Sequence, residues 1–139
     1  MIRRSVPLAA LILLAACAGQ PPKGPVCPEG MTPMLSDTLY FGTARAGGVV
    51  SAVEWERFVR DEIATRFPQG YTVQEAEGQW RNADGSIAYE HSHLLVVVHP
   101  ADKDEHSDLA MQRIADTYKT LFGQQAVLRA RSDTCSPLP

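Results

Sequence analysis

Apolar residues along this chain fall into two rhythms, helical and extended. From Trp55, the residues Phe58, Val59, Ile63 and Phe67 recur at three- and four-residue steps, the period of one helix face. Ser51 and Glu54 ahead of them have capping-box spacing, in which the hydroxyl accepts from a helix amide and the carboxylate reaches back. Pro68 and Gly70 end that run. The same period returns within 104–122, where Leu109, Ile114, Tyr118, Leu121 and Phe122 point inward and Gly123 supplies the stop. Between the helices the pattern is extended. Leu39 to Arg45 reads as a first strand closed by Gly47-Gly48, and Tyr71 to Arg81 as a second. Asn82 to Gly85 is a turn with a glycine suited to the left-handed position. Ser86 to His99 reads as a third strand, and its stretch Leu94 to Val98 is apolar at every position, as in a strand covered on both faces. Ala126 to Ser132 is the fourth.

The predicted order is β-α-β-β-α-β, an α+β fold of ferredoxin-like type: a four-stranded antiparallel sheet with two helices on one face. In that arrangement the first and third strands are central, and the start of the first lies near the end of the fourth. On the third strand His91, His93, Leu95, Val97 and His99 share one side. A three-residue hairpin loop sets Gln79 opposite Tyr89 and Glu77 opposite His91. This reading puts Leu95 and Val97 on an open sheet face, packs Trp80 under the helices, and places Glu90 near Gly78 on the core side.

Composition fits one ordinary domain, with 45% hydrophobic and 21% charged residues. The net charge of −3 offers no basic field for nucleic acid. Arg3 and Arg4 precede a short apolar run, Val6 to Leu14, and then Leu14-Ala15-Ala16-Cys17. The run is too short for the roughly 30 Å of hydrocarbon that about 20 residues span, so it reads as an export signal. Its end resembles the bacterial lipoprotein processing box, in which the leader is cut before Cys17 and that cysteine receives acyl chains such as palmitate. The alternative is a plain secretory signal. Ala18, in place of Asp, points by the same resemblance to the outer membrane, facing the periplasm. The domain reading is therefore residues 1–16 as leader, 17–37 as lipidated cysteine and Pro-rich tether, 38–133 as the folded domain, and 134–139 as a tail. Residues 18–26 extend up to about 28 Å at about 3.1 Å per residue. With Cys17 consumed, Cys27 and Cys135 remain, and an even remainder in an oxidising compartment argues for a disulfide over two free thiols.

Leu39-Tyr40-Phe41-Gly42, Trp55 with Phe58, Phe67-Pro68-Gly70, Gly78-Gln79-Trp80 and Glu90 together resemble the bacterial domain-of-unknown-function family 3574, over roughly residues 38–130. The resemblance implies a small exported protein and supplies no activity. His91 and His93 are not part of it. Leu39 to Gly42 also resembles the first strand of RNA-recognition domains. Their third strand stacks bases on aromatic residues, whereas here it reads Tyr89-Glu90-His91-Ser92-His93-Leu94, so nucleic acid is excluded as a partner.

Two constellations carry candidate chemistry. His91, His93 and Glu77 offer two imidazoles and a carboxylate on one face, a donor set for zinc or copper, against the plainer reading of a solvated sheet edge with no cofactor. Gln79 and Glu90, with Arg45 or Arg81 as a cationic partner, form a polar group that is either a structural ion pair or a general acid–base pair. No nucleophile elbow, phosphate loop or dinucleotide fingerprint is present. The leading expectation is a non-catalytic envelope lipoprotein that binds a ligand or partner and dimerises through the sheet face holding Leu95 and Val97. The alternatives are a small enzyme of dimeric α+β barrel architecture, using Glu90, His91 and His93 in a pocket, or a metal-binding protein using His91 and His93.

Overall fold

The computed structural model describes residues 25–81, 84–101 and 104–137. The leader, Cys17 and residues 18–24 lie outside the described residues. Four strands form one antiparallel sheet: β1 (Thr32–Gly42), β4 (Thr72–Arg81), β5 (Ile87–Pro100) and β6 (Leu128–Ser136). Their order is β4-β5-β1-β6. Helix α1 (Ala52–Phe58) runs on into a π-helical stretch, Val59–Ile63, and α2 (Asp104–Phe122) joins β5 to β6. A small separate hairpin, β2 (Ala44–Arg45) and β3 (Gly48–Val49), turns on Gly47 at φ 83°. The protein is thus α+β with a four-stranded antiparallel sheet and two helices.

Local chemistry sets these elements. Ser51 Oγ accepts from the Glu54 amide at 3.3 Å, and the Glu54 carboxylate accepts from the Ser51 amide at 2.9 Å. Arg45 donates to both oxygens of the same carboxylate at 2.9 Å, which ties the β2–β3 hairpin to the helix start. The Ser51 amide and hydroxyl, then Arg45, hold the Glu54 carboxyl down at about 2. The π-helical stretch is defined by the Ala64 amide donating to the Val59 carbonyl at 2.9 Å, one residue further than in an α-helix. Ile63, the last residue of that stretch, is fully buried.

The core lies between the helices and one face of the sheet. Leu39 and Phe41 of β1 and Leu95 and Val97 of β5 meet Trp55, Phe58, Ile63, Met111, Ile114, Tyr118 and Phe122. Phe41 is central, with ring centroids 5.4 Å from Trp55, 5.9 Å from Phe58 and 4.7 Å from Tyr118. Each such side chain contributes about 1.5–3 kcal/mol by leaving water.

The register expected from the hairpin holds, with Glu77 opposite His91, Gln79 opposite Tyr89 and Gly78 opposite Glu90. The assignment of faces does not. Leu95 and Val97 point into the core, Trp80 is 67% exposed, and Glu90 sits on the face away from Leu95. The reason is the length of β5. Its apolar run carries no alternation to give a phase, and its polar odd positions, His91 and His93, lie on the helix-covered side near the end of the sheet that the helices only partly reach. The strands also extend past their expected ends. β1 begins at Thr32, inside the segment read as tether, and β6 continues to Ser136. Cys135 stands opposite Pro33 in that extension. Cys27 and Cys135 form a disulfide with Cα atoms 5.7 Å apart, clasping the segment before β1 to the end of β6.

Candidate functional site

Where β1 ends, the sheet, the β2–β3 hairpin and the start of α1 leave an open groove of about 470 Å³. Thr43 and Val50 form one wall, and Glu75, Glu77, His91 and His93 the other. Thr43 fixes this corner: its hydroxyl and its amide both donate to the His91 carbonyl, at 2.8 and 3.1 Å. His93 lies flat on Trp55, with centroids 4.2 Å apart and planes 6° apart. Burial pushes the His93 imidazolium down in pKa, and the Glu75 carboxylate, opposite it on β4, pulls the other way without offsetting burial. Burial thus favours the neutral ring, which can accept a proton. His91 Nδ1 stands 3.5 Å from Glu77 Oε1, both side chains well exposed, a pairing of little energetic weight.

Of the residues expected to act together, the structure joins some and parts others. His91, His93 and Glu77 line one groove, but His93 turns to Trp55 while His91 turns to Glu77. Among the described residues there is no group of three or more His, Cys, Asp or Glu placed to hold a metal ion. The group Gln79, Glu90 and Arg45 is dispersed. Arg45 is committed to Glu54, Arg81 donates to the Gly85 carbonyl at 3.1 Å, and Gln79 is on the opposite side of the sheet from Glu90. The Glu90 carboxylate instead rests against the bare Cα of Gly42, where any Cβ would collide with it. Tyr118 donates to the Gly42 carbonyl at 3.0 Å, and burial, then the Glu90 charge, pushes its phenol up. Among the residues behind the family resemblance, Tyr40, Gly42, Gly78, Trp80 and Glu90 share the face away from the helices, while Phe41, Trp55, Phe58 and Phe67 are core.

One polar cluster is not foreseen by the sequence. Asp37 of β1 is fully buried. Its Oδ1 accepts from Arg129 Nε at 2.9 Å and Arg131 Nε at 3.0 Å, and its Oδ2 accepts from both guanidinium Nη2 atoms at 3.0 Å. His99 Nε2 lies 3.0 Å from the same Oδ2. Asp108 of α2 accepts from Arg129 at 2.7 Å and Arg131 at 3.3 Å, closing the network over the sheet. Burial alone raises the Asp37 carboxyl, but hydrogen bonds from Arg129, Arg131 and His99 outweigh it and hold the group far below the usual carboxylate range. The available signal is Arg129-Ala130-Arg131 on a strand, two cations on one side of an edge that faces inward.

The model of the family described as "Protein of unknown function (DUF3574)" matches residues 36–137. The chain belongs to this family. No curated protein matches the sequence. Two solved structures share the fold of this DUF3574 chain, both of a phage SAM lyase. One is in complex with S-methyl-5'-thioadenosine, at 16% identity and a TM-score of 0.55, covering 74% of this chain and 88% of that one. The other is the apo state, at 17% identity and a TM-score of 0.55, covering 75% and 82%. Identity this low establishes the fold alone. The expectation of a non-catalytic binding module is corrected to this extent: both of these structures are of an enzyme.

Proposed function

We propose that this DUF3574 protein is a small enzyme of ferredoxin-like architecture that acts on a cationic small molecule in the groove beside Trp55. The strand order β4-β5-β1-β6, with one helix before β4 and one after β5, supports that architecture. The observation that carries the activity is His93: an imidazole half-buried on an indole, its neutral form favoured by burial, facing a groove that also holds Glu75 and Glu77. A neutral imidazole accepts a proton, and two carboxylates favour a positively charged substrate. The phage neighbour, a SAM lyase, points to the class: an adenosine bearing a sulfonium arm. His93 takes a proton from a carbon two bonds from sulfur. The electron pair of that C–H bond becomes a C=C bond, and the C–S pair leaves on sulfur, which departs as a neutral thioether.

The test is release of S-methyl-5'-thioadenosine from S-adenosylmethionine by the purified protein, followed by chromatography. His93→Gln is expected to lower kcat about 10²- to 10⁴-fold, while Glu75→Gln and Glu77→Gln mainly raise KM. Because burial lowers the His93 pKa, kcat/KM is expected to rise from acid pH and to level off at a lower pH than it would for a free imidazole. No turnover and no binding of the sulfonium or the thioether overturns the substrate class, and an unchanged kcat in His93→Gln overturns the site. Export and anchoring through Cys17 at the periplasmic face of the outer membrane are proposed alongside, on the processing-box sequence. Cys17→Ser is expected to move the protein from the membrane to the soluble fraction of fractionated cells.

A further inference from the structure

We infer that the sheet face that neither described helix covers is a docking surface for a second copy of this chain. The strand pairings keep even-numbered positions together across all four strands, on the side opposite Leu39 and Leu95. A sheet face left to water is ordinarily polar. This one presents Trp80 at 67% exposure, Leu128 at 61%, Val98 at 42% and Tyr40 at 37%, with Leu94 and Val96 half-buried between them. From Ser36 to Gly42, Thr72 to Trp80, Ala88 to Val98 and Leu128 to Ser132, Glu90 is the single charged residue on that side. It lies beyond Gly42, toward one end, so the stretch around Thr38, Val96 and Ala130 carries no charge. The other side of the same strands carries Glu75, Glu77, Arg129 and Arg131.

Extent and charge together identify the occupant. Over that stretch the staggered strands, at about 4.8 Å spacing and about 3.4 Å rise per residue, give roughly 500 Å² of face. Two such faces bury about 1,000 Å², the small and readily dissociating end of specific interfaces. A copy of the chain offers a surface of the same extent, the same flatness and the same lack of charge. Two sheets packed about 10 Å apart bury both at once. Each chain carries a net charge of −3, and this is the face on which two copies meet without opposing rows of carboxylates. A partner of opposite charge finds only Glu90 to match.

Sedimentation of the purified protein from about 1 to 100 µM, the weak end of the affinities such interfaces show, tests this. The wild type is expected to sediment as a dimer that dissociates on dilution. Val98→Glu and Leu128→Glu are each expected to shift the dissociation midpoint at least tenfold, with circular dichroism unchanged. Leu121→Glu, at an exposed position on α2, is expected to leave it unchanged. A wild type that stays monomeric at about 100 µM overturns the inference, as do face variants that assemble like wild type.

Discussion

Asp37→Ala is expected to destabilise the protein by about 3–5 kcal/mol, the usual cost of removing one partner from a buried ion pair. The carboxylate is the hub of the cluster, taking donors from Arg129, Arg131 and His99 while fully buried. Without it, two partly buried guanidinium groups lose their buried counter-charge, while Asp108, which also accepts from both, is half exposed. Asp37→Asn keeps the shape and lacks the charge, and it turns an amide N–H₂ toward donors, so it belongs in the same range. Replacing the cluster together, with Asp37→Leu, Arg129→Met and Arg131→Leu, is expected to recover most of the loss, since an apolar set of similar volume needs no desolvated charge. Urea denaturation at neutral pH checks all three. If Asp37→Ala costs less than about 1 kcal/mol, the cluster is not holding β1, β5 and β6 together.

The same group has a pH signature whose sign follows from its lowered native pKa. In the unfolded chain an aspartate takes its proton near pH 3.9, while in the native state Asp37 stays ionised well below that. The unfolded state therefore binds more protons as pH falls through about 4, and stability falls with it. Above that pH the contribution is fully present. Asp37→Asn is expected to flatten this part of the acid limb relative to wild type. Glu54, held at about 2, contributes in the same direction and is unaffected by the substitution.

How much of this is legible beforehand depends on whether the deciding information is local. Helix α1 announces itself through Ser51, Glu54 and Trp55, all within one turn. The pairing of Glu77 with His91 follows from a short hairpin loop. The disulfide follows from compartment and parity of cysteines, and strand order brings its ends together. What is not legible is long-range. Arg129 and Arg131 stand 92 and 94 residues from Asp37, and no local spacing relates them. The covered side of β5 is equally invisible, since Leu94 to Val98 has no alternation and the histidines before it suggest the wrong side. The groove is legible only in part. His91, His93 and Glu77 are visible as a group, but Thr43, Trp55 and Glu75 complete it from three other places in the chain. The sequence offers the donors and leaves unsaid that stacking on Trp55 parts His93 from His91.

Cys27→Ser with Cys135→Ser is expected to be the other large loss, about 4–5 kcal/mol on the loop-entropy model for a closed loop of roughly 100 residues. A domain of this size has about 5–15 kcal/mol in all, so the melting temperature is expected to fall by roughly 10–20 °C. The structure says where the loss is felt first. Cys135 lies at the open end of the β1–β6 ladder, opposite Pro33, and Pro33 has no amide to donate there. Thr32 and Ser136 are the last pair beyond it. With the sulfurs apart, amide exchange is expected to rise at Leu35 and Thr134 before it rises at Leu39 or Phe41, whose side chains are in the core. The Asp37 cluster marks the boundary between the two regions, because Arg131 and Arg129 bind β6 to β1 from the side chains as well as the backbone. The two perturbations are therefore coupled through one ladder. Combining Asp37→Ala with the cysteine pair is expected to cost less than the sum of the separate effects, since either alone already loosens the end of β6 that the other secures. Strict additivity in the double perturbation overturns that coupling and assigns the disulfide's effect to the unfolded chain alone.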